Sequence, residues 1–343
     1  MLLSTSRFIP PSQHAHPNPH HLMNHPLRHI IPVATLLLSA ATPLFAQTIE
    51  IKPHWQVGKK FSQTMHMDQA STIAIGDQKM EQKVGMTMDS TITVRAHENG
   101  KDKRMGVKYD RVAMSMNMAG QDIKYDSAAP AGAASDPLGL GKSFGAIVGK
   151  EVKLVTDAKD EVLEFENLDA MTKELAAGSP MAAVVGQMFN KDAMKNMMRQ
   201  GSLYAAPGKP VKPGDSWPFE FAMPMPGLGK VDLKGTYTLK SIGDHAGVKC
   251  AEIALDGKLG IDLSGSGDAK VEGADALTQL GMKMDNGKMT GTLWFDPALG
   301  ICRDAQFTQE MNLKMKNPQK PDESMEIPMK QTIKQTLTKV ENL

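Results

Sequence analysis

Gly141-Lys142-Ser143-Phe144-Gly145 has the G-x-S-x-G spacing of a hydrolase nucleophile elbow. Such an elbow needs a strand directly before its serine and a helix after it, so that the turn thrusts the hydroxyl outward. Here Pro137-Leu138-Gly139-Leu140 comes first, Gly149 soon follows, and His245 is the only histidine downstream. Ser143 therefore reads as part of a turn, and no catalytic residue is assigned. Gly141-Lys142-Ser143 also matches the tail of a phosphate-binding loop, but the leading glycine of that motif falls at Asp136, where a carboxylate would repel phosphate. Zinc finds no ligand set either: His54, His66, His97 and His245 are scattered, and neither Cys250 nor Cys302 has a C-x-x-C partner. The sequence implies no cofactor and no enzyme.

Methionine is the remaining soft chemistry. Of 26 methionines, Met1 and Met23 precede position 47, leaving 24. Many recur at a spacing of two: Met65/Met67, Met86/Met88, Met114/Met116/Met118, Met223/Met225 and Met282/Met284. In an extended strand, side chains at i and i+2 leave the same face, so each set is a stripe on one side of a sheet. Thioether sulfur suits Cu(I), which brings Met65-His66-Met67 into view, but alternation turns His66 away from its neighbours. The other account is that flexible, polarizable Met lines an adaptable apolar surface. Gln63, Gln69, Gln82, Gln309, Gln331 and Gln335 share the parity of that surface. Buried amides without partners are costly, so part of the face is expected to be wet or near strand ends.

The compartment follows from the first 46 residues. Arg28 and His29 precede an apolar run, Ile30 to Leu38, and Leu44-Phe45-Ala46 gives a small-residue cleavage pattern before Gln47. This reads as a secretory signal peptide over 1–46, and a start at Met23 would give it a more ordinary length. The expectation is a periplasmic or secreted protein with no integral membrane segment in the mature chain, since no later run approaches the roughly 18 to 20 apolar residues of a span. Loss of Arg7 and Arg28 leaves 37 basic against 38 acidic residues, which argues against nucleic acid as a partner. In an oxidising compartment, Cys250 and Cys302 are expected to form a disulfide closing a loop of about 50 residues, worth about 4 kcal/mol.

Period-two alternation must position the methionines. Phe61 to Ile75 and Val84 to Arg95 read as a hairpin about Gly76-Asp77; Val112 to Met118 pairs with Gln121 to Asp126, and Val152 to Val155 with Val162 to Phe165. The pattern returns in Val231 to Leu239, Met289 to Phe295, Phe307 to Met315 and Met325 to Leu337, where Pro328 places an edge. Between the halves, Met181, Val184, Val185, Met188 and Phe189 recur at helical spacing after Ser179-Pro180, with weaker helical stretches at Leu168-Met171-Leu175 and Met194-Met197-Met198. The fold class is mainly β: a single domain over 47–343, built as an antiparallel curved sheet or open half-barrel of about eleven strands, with a helical insert near 166–201 and a Pro/Gly linker near 205–215.

Pro213-Gly214-Asp215-Ser216-Trp217 and Gly291-Thr292-Leu293-Trp294-Phe295-Asp296-Pro297-Ala298-Leu299-Gly300 resemble the Pro-Gly-Asp-x-Trp turn and Gly-x-x-x-Phe-Asp-x-x-x-Gly hairpin of an uncharacterised family of exported bacterial β-rich proteins. That resemblance implies no activity. In architecture alone the chain is similar to the Lol lipoprotein carriers and related lipid-binding half-barrels. The expectation is non-enzymatic binding of a lipid or an acylated protein on a Met-lined concave face, with Met86, Met88, Met116, Met188, Met311 and Met315 as its contacts and the helices as its cover. A Cu(I) or Ag(I) chaperone using Met pairs, and an envelope scaffold without a small ligand, are the alternatives.

Overall fold

The computed structural model describes residues 47–75, 78–118, 121–129, 145, 147–176, 191, 194–195, 206–225, 229–262, 283–317 and 320–343. Contacts divide the chain into Met1–Leu44 and Phe45–Leu343, and every described element belongs to the second unit. The signal segment, Ser143 and the stripe from Met181 to Phe189 lie outside the described residues.

Alternating apolar and polar side chains cannot bury one face as isolated ribbons, so the strands assemble edge to edge into one antiparallel sheet. In chain order they are β1 (Lys59–Ile75), β2 (Gln78–Ala96), β3 (Lys103–Met118), β4 (Gln121–Asp126), β5 (Glu151–Thr156), β6 (Val162–Phe165), β7 (Ser216–Met225), β8 (Gly229–His245), β9 (Val248–Asp262), β10 (Lys283–Asp296), β11 (Ile301–Asn317) and β12 (Lys320–Asn342). Their spatial order is β6-β5-β3-β2-β1-β12-β11-β10-β9-β8-β7, with β4 paired to the far end of β3. The sheet is mainly β and open, as the alternation predicts. One helix, α1 (Leu168–Ala176), is described between β6 and β7 and packs Leu168 and Met171 into the core.

Pro328 shapes the centre of the sheet. β12 lies between β1 and β11, so it is no edge strand along most of its length. Its pairing with β1 nevertheless ends at Ser71↔Met329, one residue before the proline. A residue without an amide donor cannot continue a two-sided ladder. Beyond it the sheet forks: β1 continues with β2 to Ile75↔Gln78, while β11 continues with β12 to Asn317↔Lys320.

Two buried clusters occupy one face of the sheet. Trp217, Phe219, Leu233, Tyr237, Leu239, Ile253, Leu293, Phe295 and Phe307 form the C-terminal one; Phe61, Val94, Met105, Leu154, Phe165 and Leu168 belong to the N-terminal one. Residues 47–58 cross between them. Ile49 exchanges backbone bonds with Val211, Ile51 enters the first cluster, His54 N donates to Gly300 O at 2.8 Å, and Trp55 packs edge-on to Phe61 at 5.2 Å. Gly300 is required there: its φ is 72°, and a Cβ would stand 2.9 Å from His54 O.

The expected disulfide is not formed in this structure. Cys250 and Cys302 are buried thiols with no disulfide between them, and β10 lies between their strands. Arg303 is the cause. It is the extra residue of a bulge in which Trp294 pairs with Asp304 but Phe295 pairs with Cys302, so parity inverts between Cys302 and Asp304. Cys302 therefore joins Phe295 and Tyr237 in the core, whereas Cys250, next to the core residue Ala251, faces the other side.

Candidate functional site

Cross-strand register converts the Met stripes into a continuous face. Met65 pairs with Met88, which pairs with Val112; Met67 pairs with Met86, which pairs with Met114. On the other side Met67 meets Ile333, and Ile333 meets Phe307. One row further from the base, Met289, Gln309, Gln331, Gln69, Val84, Met116 and Ile123 stand directly opposite one another across β10, β11, β12, β1, β2, β3 and β4. Directly opposed side chains lie about 4.5 to 5.5 Å apart at Cβ, within contact for Met and Gln. The amides meet sulfur: Gln331 Nε2 donates to Met67 Sδ at 2.8 Å and Gln309 Nε2 to Met289 Sδ at 3.7 Å. Gln335 Nε2 donates to Gln63 Oε1 at 3.0 Å.

The expected contacts divide. Met86, Met88 and Met116 sit together, half-buried, on β2 and β3. Met311 and Met315 are half-buried on the same face, Met311 in the last row before the Pro328 fork with Met329 and Ser71, and Met315 beyond it opposite Met325. No β1–β12 pairing joins Met315 to the first set there. Met188 lies outside the described residues, as do the side chains of Met118, Met223 and Met225. Met65, Met67, Met114 and Ile333 complete the site, and the two-residue spacing already marked the methionines among them.

The two faces differ sharply in charge. Away from the base, the side carrying Met67 presents no Asp, Glu, Lys, Arg or His among the side chains described on β1, β2 and β8 to β12; Lys59, Asp244 and Lys249 share its parity only at the base. The other side is ionic: Lys330 pairs with Glu310, Lys314 with Glu326, Lys60 with Glu341, and Arg111 with Asp126 and Asp89. The Lys330 hydrogen bond holds the Glu310 carboxyl below its ordinary range, and Arg111 does the same for Asp126.

Two further polar groups carry no sequence signal, because their members are far apart in the chain. At the base, the buried Lys103 donates to Asp160 Oδ1 at 2.7 Å, His54 Nδ1 lies 3.2 Å from the same ammonium, and Trp55 N donates to Asp160 Oδ2 at 3.1 Å. This clamps residues 47–58 to the β5–β6 turn. On the ionic face, His245 Nε2 bonds Asp304 Oδ2 at 2.6 Å and stacks on Trp294 at 4.5 Å. Nearby Cys250 has its thiol pushed up, chiefly by burial, which opposes a nucleophilic role. Among the described residues, no three His, Cys, Asp or Glu side chains converge as a metal site, and no helix is long and apolar enough to cross a membrane.

The motif turns are structural. Asp215 Oδ2 accepts from Lys212 N at 2.9 Å, Gly214 has φ 95°, and Trp217 drops into the core beside Tyr237. Asp296, 1% exposed, accepts from Ala298 N, Leu299 N and Arg303 Nε, closing the β10–β11 turn.

Sheet and site together define an open, one-sheet antiparallel β protein with an uncharged Met–Gln face. Residues 100–302 match the "Family of unknown function (DUF6263)", and the chain belongs to that family. No curated protein matches it. Among solved structures it is similar to lipovitellin, described for its lipid-protein interactions, at TM-score 0.43 and 11% identity over 84% of this chain; it spans only 26% of that chain. A putative outer membrane lipoprotein-sorting protein domain from Vibrio parahaemolyticus gives TM-score 0.13 and 5% identity over 81% of this chain and 85% of its own. A DUF1329 family protein from Desulfovibrio piger gives 0.13 and 8% over 82% and 86%. At TM-scores below 0.5 these likenesses carry no argument about ligand.

Proposed function

We propose that this protein binds an apolar ligand, a lipid or an acylated protein, without catalysis, on the face bearing Met65, Met67, Met86, Met88 and Met116. The observation behind this reading is that the face is uncharged and half-buried where its strands are longest, although the same strands are fully packed near Phe61 and Phe295. A sheet of long strands has no need of ten or more large apolar side chains left partly in water, and flexible thioethers adapt to partners of varied shape. Cleavage after Ala46 would deliver the protein to the periplasm or beyond, where lipids and acylated proteins must be handled in water.

Titration of delipidated protein with the neutral dye N-phenyl-1-naphthylamine tests this. Saturable fluorescence enhancement is expected, abolished in Met86→Lys and kept in Thr332→Lys, which places the same charge on the ionic face. Equal dye binding in the two variants, both folded by circular dichroism, would refute the reading.

A second reading, Cu(I) binding, is favoured by one observation: Met67, Met86 and Met114 stand in line on three adjacent strands, with Met65 and Met88 in the next row. Three thioethers at that separation suit a soft ion. Titration with Cu(I) against a chromogenic chelator is expected to show competition if this reading holds, and none if the methionines serve only apolar contact.

A further inference from the structure

Within the proposed binding face lies a polar row whose chemistry narrows the ligand. Gln309, Gln331 and Gln69 stand side by side on β11, β12 and β1. One flank is the row Phe307, Ile333, Met67, Met86, Met114; the other begins with Met311, Met329 and Ser71. The ends of that first row, Phe307 and Met114, are buried, and its half-buried middle, Ile333, Met67 and Met86, adjoins the half-buried Met65 and Met88 one row nearer the base, which gives an acyl chain an accessible apolar surface. At least two of the amides spend an N–H on a sulfur, Gln331 on Met67 and Gln309 on Met289. Thioether sulfur is a weak acceptor, so an incoming carbonyl or hydroxyl oxygen would be the better partner.

The row has no cation to offer. Among the side chains described on β1, β2 and β8 to β12, this face holds no Lys, Arg or His beyond the base; there Lys59 donates to Asn342 Oδ1, Lys249 stands opposite Asp244, and Lys103 of β3 is paired with Asp160. A carboxylate or phosphate brought to the Gln row would lose water without gaining a counter-charge, whereas an ester or hydroxyl would lose little and gain the amide donors. Resting on the binding reading above, we propose that the occupant is an uncharged acyl lipid, its chain on Ile333, Met67, Met86, Met65 and Met88 and its ester or hydroxyl oxygens on Gln309, Gln331 and Gln69.

Displacement of N-phenyl-1-naphthylamine separates the two levels. At pH 8, 1-monooleoylglycerol is expected to displace the dye at a concentration at least tenfold below that of oleate, which has the same chain and a full charge. Gln331→Leu should cut that preference severalfold, read as the ratio of the two displacement constants within the same variant, and Gln309→Leu provides the same measurement if the first variant folds poorly. Should oleate displace the dye as well as the glyceride, the neutral-lipid proposal is overturned although the binding reading survives. Stronger displacement by an N-palmitoylated peptide amide than by the glyceride would overturn it in favour of an acylated polypeptide. Absence of dye binding in the parent protein would remove the reading on which both depend.

Discussion

The base of the sheet and its Met–Gln end are built from the same strands and the same face, yet they have opposite physical character. At the base, Phe61, Val94, Leu239, Leu293 and Phe295 are no more than 1% exposed. They are covered by residues 47–58, by α1 and by the turns at Asp160 and Gly300. Thirteen to twenty ångströms up the same strands, four to six residues at about 3.4 Å each, Met65, Met67, Met86 and Met88 are only half-buried. Alternation alone therefore does not create a dry core. A face becomes dry where a second layer of chain lies over it, and stays available where none of the described residues does.

That contrast is sharpest at Phe295. Its replacement by Ala is expected to lower stability by about 3 to 5 kcal/mol, the range for a large aromatic removed from a closed core. Met86→Ala should cost only about 1 kcal/mol, because half of its surface is already in water. Chemical denaturation of both variants measures the difference; similar losses would mean that the Met end is as much a core as the base.

The clamp at the base is next in size. Asp160→Ala strands Lys103 as a buried, unpaired charge and should cost about 3 kcal/mol or more. Adding Lys103→Met should restore a good part of it, since the penalty lies in the uncompensated ammonium and the pair itself is worth less than its rupture suggests. A double variant no more stable than Asp160→Ala would show that the carboxylate acts mainly through Trp55 N.

Alkaline titration probes the C-terminal cluster. Burial, with a smaller contribution from nearby Cys302, pushes the Tyr237 hydroxyl well above its usual value near 10. The neutral phenol thus stabilises the fold fully below pH 10, and that stability falls as pH rises towards the folded value, because the unfolded chain gives up its proton first. Tyr237→Phe should flatten the decline in stability between pH 10 and 11. An unchanged slope would assign alkaline loss to other groups.

The smallest expected effect is none at all. Two thiols on opposite faces, not joined by a disulfide, should leave the melting temperature unmoved by reductant, and both should alkylate once the protein is denatured without reductant. A mass two hydrogens lower, with no labelling, would restore the disulfide and contradict the register of β10 and β11.

The hairpins of β1–β2, β3–β4 and β5–β6 were legible because period-two patterning and turn residues are local properties. The same is true of the Met and Gln parity that defines the candidate site. Cys302 shows where that legibility ends: parity counts residues, and the bulge at Arg303 inserts one that no local pattern reveals. Pro328 is an intermediate case, since its missing donor is a local fact but the choice of β1 as the partner that stops there is not.

By itself, then, the sequence determined which side chains share a face, through the two-residue period of the extended chain, and it determined that most of those side chains are apolar or amide. Tertiary structure alone decided which strands are neighbours, hence that Gln309, Gln331 and Gln69 form a row, that Met315 is parted from Met86 by a fork, and that Lys103 finds Asp160 and His54. The physical reason is that pairing is settled by the sum of contacts along whole strands and by the segments that close over them, and neither quantity is local to any residue.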